Sequence, residues 1–209
     1  MPHSPRLFLV AGVDFSILVW PYPDHDDDIM HELTGRELYQ VLEYAKSIDE
    51  QTGKKLLIQF EAEQTVLYRT LFNVFPMMIA QQNREMANLF MDLCFDIICV
   101  YQKSFGDPPQ CSNDPIWLEK QSALMEDELQ WLIPDPSMDE KIRKTFENRP
   151  VKPSGYETNQ RGLVKFLNEA IDAYASENPS RVPATKITQA MILVVVRLFN
   201  NLYRPAGKQ

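Results

Sequence analysis

The fold is decided by the stretch TGRELYQVLEYAKSI, residues 34–48. Thr34 and Glu37 have the spacing of a capping box, in which a hydroxyl and a carboxylate each satisfy a free backbone N–H at a helix start. Gly53 is a plausible end for this helix, because glycine readily takes the left-handed conformation of a C-cap. The stretch predicts a capped, amphipathic helix with apolar positions at Leu38, Val41, Leu42, Ala45 and Ile48.

Helical spacing of apolar residues continues through the middle of the chain. Residues 54–105 are predicted to form two more helices, or one long helix broken near its middle. The break is expected at Pro76, because proline removes a backbone hydrogen bond and clashes with the preceding turn. Gly106 and the prolines that follow it end this helical region. Asp114, followed by Pro115, is typical of the start of the next helix.

Two helices are predicted near the C-terminal end. The first has apolar residues at helical spacing between Leu163 and Tyr174, and Asn178-Pro179 follows it. The second has Thr185 as a possible N-cap and continues to Leu202. Because residues 192–196 make its centre apolar nearly all round, we expect this helix in the middle of the bundle.

The N-terminal segment differs from the rest of the chain. Residues 6–10 and 15–20 are rich in β-branched and aromatic side chains and flank the short stretch AGVD, which predicts two short strands around a turn. The fold class is therefore mainly α, a single bundle-like domain of about six helices with a short two-stranded N-terminal element. We divide the chain into a segment 1–33 packed on the main domain and a helical domain 34–209, which contains a proline-rich connection at 134–158. The seven glycines in 209 residues also favour helices over a sandwich or barrel.

Charge and composition exclude several classes of function. The net charge is −8, and the 21 basic residues are not visibly clustered, which argues against nucleic-acid binding and against anionic membrane surfaces. The N-terminus lacks the long apolar core of a signal peptide, so a cytoplasmic protein is expected. Cys94 and Cys99 lie in an apolar run, where a free cysteine behaves as a small hydrophobic residue. No cofactor is indicated.

One acidic cluster suggests a metal site. Asp24, His25, Asp26, Asp28 and His31 offer the carboxylates and imidazoles that divalent metals bind. The spacing matches the first ligands of an EF-hand loop, but the required glycine and bidentate glutamate are both missing. The interpretation we favour is a solvated acidic loop whose last carboxylates stabilise the next helix start. A di-metal centre on the later helices is disfavoured, because all three histidines precede those helices.

The motifs of nucleophilic catalysis and of nucleotide binding do not occur in the chain. The sequence therefore favours a non-catalytic protein-interaction or regulatory module, such as an adaptor, an inhibitor or immunity protein, or an assembly subunit. Its partner would be another protein or a second copy. A metal-dependent enzyme using residues 24–32 is the alternative. The hypothesis for the binding segment is the connection 134–158, which keeps its backbone accessible. The alternative is a passive connection between two halves of the bundle. Its apolar anchors would be Trp131, Met138, Phe146 and Tyr156.

Overall fold

The computed structural model describes residues 30–109, 117, 119, 121 and 160–203. This part of the chain is mainly helical, which confirms the predicted class. The helices are α1 (Gly35–Ser47), α2 (Glu50–Glu63), α3 (Thr65–Ala80), α4 (Arg84–Phe105), α5 (Arg161–Ser176) and α6 (Thr185–Leu202), and a 3₁₀ helix (Pro179–Ala184) precedes α6. The predicted strands within 6–20 and the connection 134–158 lie outside the described residues.

The capping box that begins α1 is confirmed. The Glu37 N–H donates to the Thr34 hydroxyl oxygen at 3.3 Å, and the Thr34 N–H donates to the Glu37 carboxylate at 2.8 Å. The end of the helix was predicted wrongly, because Gly53 lies inside α2. Asp49 is the N-cap of α2 and accepts from the Thr52 N–H at 2.9 Å. A new helix thus begins at Glu50, three residues before Gly53, and at that position the small residue faces the Phe95 ring of α4.

Helix α3 passes Pro76 without a break. Residues Thr70–Val74 form a π-helical turn, in which the Phe75 N–H donates to the carbonyl of Thr70 five residues earlier. Pro76 then follows within the last α-helical turns, Phe75–Ala80. The wider turn accommodates the missing proline N–H and the ring, so the predicted kink or break is a local π distortion of one continuous helix.

Helices α4 and α6 form the centre of the bundle, as the apolar centre of α6 predicted. Gly106 ends α4 with a backbone φ of 84°, a conformation that glycine adopts without strain. The start of α6 differs from the prediction, because the 3₁₀ helix runs directly into it and Ala184, not Thr185, is the N-cap. Residues 179–202 are long and apolar enough to cross a membrane, yet most of them are buried by other helices, as in the core helix of a globular protein.

Aromatic side chains fill the core around α4, where Phe90 meets Phe75 of α3 edge-on and Phe60 of α2 is stacked against Phe199 of α6. Phe60, Phe90 and Phe199 are fully buried, and each contributes roughly 1.5–3 kcal/mol through the transfer of its surface out of water. The Tyr101 hydroxyl is also buried and donates to Asn200 Oδ1 at 2.6 Å. Burial raises the pKa of Tyr101 far above its ordinary value, so the phenol remains a neutral donor.

Arg181 joins three elements at one end of the bundle. From the 3₁₀ helix its Nε donates to the Glu85 carboxylate of α4 at 2.6 Å, and its terminal nitrogen donates to the Tyr174 carbonyl of α5 at 2.9 Å. The guanidinium also stacks 3.7 Å from the centroid of the Tyr174 ring. Because the side chain is largely buried, these contacts hold the 3₁₀ helix in place.

Candidate protein-interaction surface

Of the acidic cluster, the structure describes His31, which is part of the α1 cap. His31 Nε2 lies 3.4 Å from Glu37 Oε1, and its ring meets the ring of Phe105 edge-on at 5.7 Å between centroids. Partial burial opposes ionisation of Glu37, but hydrogen bonds from Thr34 and the nearby His31 outweigh it and lower the pKa of that carboxyl. This arrangement stabilises a helix start.

The other residues of the predicted metal site, Asp24, His25, Asp26 and Asp28, lie outside the described residues. Within the described ranges, no three metal-ligating side chains lie close enough together to hold an ion. The structure therefore tests neither the solvated acidic loop that we favour at 24–32 nor the alternative of a metal site there. The same holds for the predicted binding anchors Trp131, Met138, Phe146 and Tyr156, which also lie outside the described ranges.

The segment before α1 is held by a buried glutamine. Gln160, directly before α5, accepts from the Leu33 N–H at 3.0 Å through Oε1 and donates to the His31 carbonyl at 2.7 Å through Nε2. The Gly162 N–H adds a contact of 3.3 Å to the Glu32 carboxylate. Gln160 thus pairs with a short extended segment as a second strand would, and it fixes where the chain enters the bundle.

A shallow cleft lies between α1, α2 and α4. Its volume is about 120 Å³, and it is lined by Tyr44, Leu56, Cys99, Gln102 and Lys103. The Lys103 ammonium lies 4.9 Å from the centroid of the Tyr44 ring and partly covers the cleft. Ligand pockets for small molecules are usually roughly 300–1,000 Å³, so this cleft is too small to hold a typical substrate.

The two cysteines of α4 are buried, which confirms their reading as small apolar residues. Burial raises the pKa of the Cys94 thiol, and the nearby Asp96 carboxylate raises it further. A thiol in this environment stays protonated at neutral pH and is a poor nucleophile.

The most unusual surface of the described chain is the outer side of α3. We define the α3 surface as five exposed residues of this helix: Arg69, Asn73, Val74, Met77 and Ala80. Val74 is 51% exposed and Met77 is 70% exposed. The opposite side of the helix is buried in the core through Leu67, Leu71, Phe75 and Ile79. Helix α3 therefore has apolar side chains on both sides.

This composition departs from that of an ordinary surface helix. A helix at the edge of a globular protein normally carries charged residues on its outer side. Over Thr65–Ala80 the only charged residue is Arg69. Helix α6 is similarly apolar, but 12 of its 18 residues are buried. The π turn lies beneath the α3 surface, and such turns are frequent at functional sites.

Sequence reasoning treated the α3 region only as a core stripe interrupted by Pro76. The low number of charged residues distinguishes α3 from its neighbours in the sequence, because α1 and α2 carry several charges each while α3 carries one. Periodicity alone could not show which apolar residues face solvent. That assignment depends on which neighbouring helices cover α3.

Comparison with models of known protein families, with curated proteins and with solved structures gives no match to this chain. A functional proposal therefore depends on the surface chemistry of the described residues.

Proposed function

We propose that this chain is a non-catalytic protein-interaction module that binds another protein through the α3 surface. The observation that carries the proposal is the exposure of Val74 and Met77 on a helix with a single charged residue. Large exposed apolar patches typically mark interaction sites on folded proteins, and Val74 and Met77 lie about one turn apart on α3. A partner that covers this side of α3 removes apolar surface from water.

The two exposed apolar side chains supply a useful part of a binding energy. Full burial of a methionine or valine side chain is worth roughly 1.5–3 kcal/mol, and between half and three quarters of each is still exposed here. Covering both therefore contributes about 2–4 kcal/mol. Methionine is also conformationally adaptable and fits irregular partner surfaces. Met77, the more exposed of the two, is the central contact of the proposed interface.

The predicted anchors of the connection form a second part of this proposal. Trp131, Met138, Phe146 and Tyr156 would extend the contact beyond α3. Replacing residues 149–156 with a Gly/Ser linker of equal length tests this part. We expect the yield of recovered partner to fall while the circular dichroism spectrum is retained. An unchanged yield would show that the segment is only a connection.

A photo-crosslinking amino acid at position 77 tests the α3 surface directly in cells of the source organism. We expect discrete adducts with another protein that are lost when Val74→Glu is added to the same chain. The control places the same crosslinker at Ile58, which is 66% exposed on α2. Identical adducts from positions 58 and 77 would contradict the proposal, because they would reflect exposure alone.

A further inference from the structure

The α3 surface lies in a stretch of the chain without acidic residues. Residues 64–84 contain neither aspartate nor glutamate, although the whole protein has 29 acidic residues among 209. The same stretch contains two arginines, Arg69 on α3 and Arg84 at the start of α4. This part of an acidic protein is therefore locally basic, and in the sequence Arg69 precedes and Arg84 follows the apolar residues Val74 and Met77.

Both arginines are available to a partner. Each is exposed, and within the described part of the chain no carboxylate forms an ion pair with either of them. Two basic side chains on neighbouring elements, Lys54 of α2 and Arg181 of the 3₁₀ helix, do contact carboxylates. Lys54 contacts Glu50 at 2.6 Å, and Arg181 contacts Glu85 at 2.6 Å. Arginine side chains without a carboxylate at an apolar surface provide binding sites for carboxylates of another molecule.

We propose that the partner segment bound by the α3 surface is acidic, with apolar side chains between or beside its carboxylates. This inference rests on the proposed function and names the chemistry of the partner. Apolar residues of the segment cover Val74 and Met77, while its aspartates or glutamates bind Arg69 and Arg84. The paired charges set orientation and accelerate association, and the apolar contact slows dissociation.

Charge complementarity favours such a segment over two other occupants. In a symmetric contact between two copies of the α3 surface, the arginines of both copies meet at one interface and repel each other. An anionic membrane is an extended surface that faces the acidic remainder of the chain as well as the two arginines, and the net charge of −8 repels it, whereas a short segment contacts only the stretch without acidic residues. An acidic protein segment gains both the apolar and the electrostatic contact at this one surface.

A displayed library of random 16-residue peptides is the probe for this inference. The library is selected in parallel on the full-length wild-type chain and on the Met77→Glu variant, whose exposed substitution should leave the circular dichroism spectrum unchanged. We expect peptides enriched only on the wild type, carrying net negative charge together with aliphatic or aromatic residues. A synthetic copy of one of these peptides then serves for affinity measurements.

Charge reversal tests the electrostatic part separately. The double variant Arg69→Glu/Arg84→Glu should weaken binding of the synthetic peptide by about tenfold or more at low salt, because two attractive contacts become repulsive. The matched control Arg36→Glu/Lys55→Glu changes the net charge equally at two exposed positions away from α3 and should change the affinity less than about threefold. Selection on the reversed variant should yield basic peptides.

The outcomes separate this inference from the proposed function. Peptides enriched on the wild type without an acidic bias, or an affinity unaffected by charge reversal, overturn the inference and leave the proposed function standing. No enrichment over Met77→Glu overturns both. If the wild-type chain binds vesicles of phosphatidylcholine and phosphatidylserine and Met77→Glu abolishes this binding, the α3 surface binds a membrane and not an acidic protein segment. If sedimentation velocity shows a dimer that Met77→Glu dissociates, the α3 surface binds a second copy of the chain and not an acidic protein segment.

Discussion

Replacing Gln160 by methionine should destabilise the protein, because this glutamine holds the entry segment of α1 against α5. Methionine keeps the length and approximate volume of the side chain but offers neither hydrogen bond. Gln160 is fully buried, and Leu33 is 5% exposed, so water cannot readily replace the lost acceptor. The Leu33 N–H is left without its partner, at a cost of about 1–3 kcal/mol.

The second hydrogen bond adds to this loss. Gln160 Nε2 donates to the His31 carbonyl at 2.7 Å, and this contact is only partly buried, so its loss costs about 0.5–1.5 kcal/mol. The two terms give an expected decrease of roughly 2–4 kcal/mol in the free energy of unfolding. The decrease is measured by urea denaturation followed by circular dichroism.

Amide exchange locates the effect within the molecule. The Leu33 amide should exchange much faster in Gln160→Met, since its acceptor is removed. The control is Gln59→Met, an exposed glutamine whose side chain contacts only Glu63 among the described hydrogen bonds, and it should change stability by less than about 0.5 kcal/mol. If Gln160→Met is no more destabilising than Gln59→Met and the Leu33 amide stays protected, the proposed role of Gln160 is refuted.

Three further predictions follow from individual contacts. The pKa of Glu37 lies below its ordinary value of 4.5, so the stability it contributes is present above that pH and is lost as the pH falls through the folded-state pKa. Glu37→Gln should therefore lower the free energy of unfolding by about 0.5–1 kcal/mol at neutral pH and leave it unchanged in strong acid. Denaturation at both pH values measures the difference, and an equal loss at both would contradict the carboxylate's role in the cap. Phe90→Ala should lower the free energy of unfolding by about 3–5 kcal/mol, because Phe90 is fully buried, and a loss below 1 kcal/mol in urea denaturation would place this ring outside the core. Arg181→Lys keeps the positive charge but loses the planar guanidinium that contacts Glu85 and the Tyr174 carbonyl. Thermal melting should therefore show a decrease of about 1 kcal/mol in the free energy of unfolding. An unchanged melting temperature would show that only the charge of Arg181 matters.

The helices were predictable where their signals are local. Thr34 and Glu37 form their capping box from residues three apart, and Gly106 ends α4 through its own backbone freedom. Such signals need no information about the rest of the chain. The prediction that Gly53 ends a helix was wrong because glycine has two structural roles: it can end a helix, and it can lie inside one where a neighbouring side chain packs closely. At this position the small residue lies against the Phe95 ring of α4 inside a helix that Asp49 had already begun.

Local sequence rules do not determine how the helix responds to Pro76. Proline removes one hydrogen bond, and the chain can respond by breaking, bending or widening the helix. Leu67, before the π turn, and Phe75 and Ile79, after it, are buried on the same side of α3. A π turn keeps these residues facing the core, so packing against α4 favours the widened helix over a break.

The helical class, the capping box of α1, the end of α4 at Gly106 and the central position of α6 follow from the sequence, because hydrophobic period and capping chemistry act within a few residues. Tertiary structure alone decided that Gln160 reaches Leu33 across most of the chain and that Val74 and Met77 face solvent. Both facts depend on how helices far apart in sequence pack together. The apolar residues of α3 and α6 look alike in the sequence, and they differ only in whether neighbouring helices cover them.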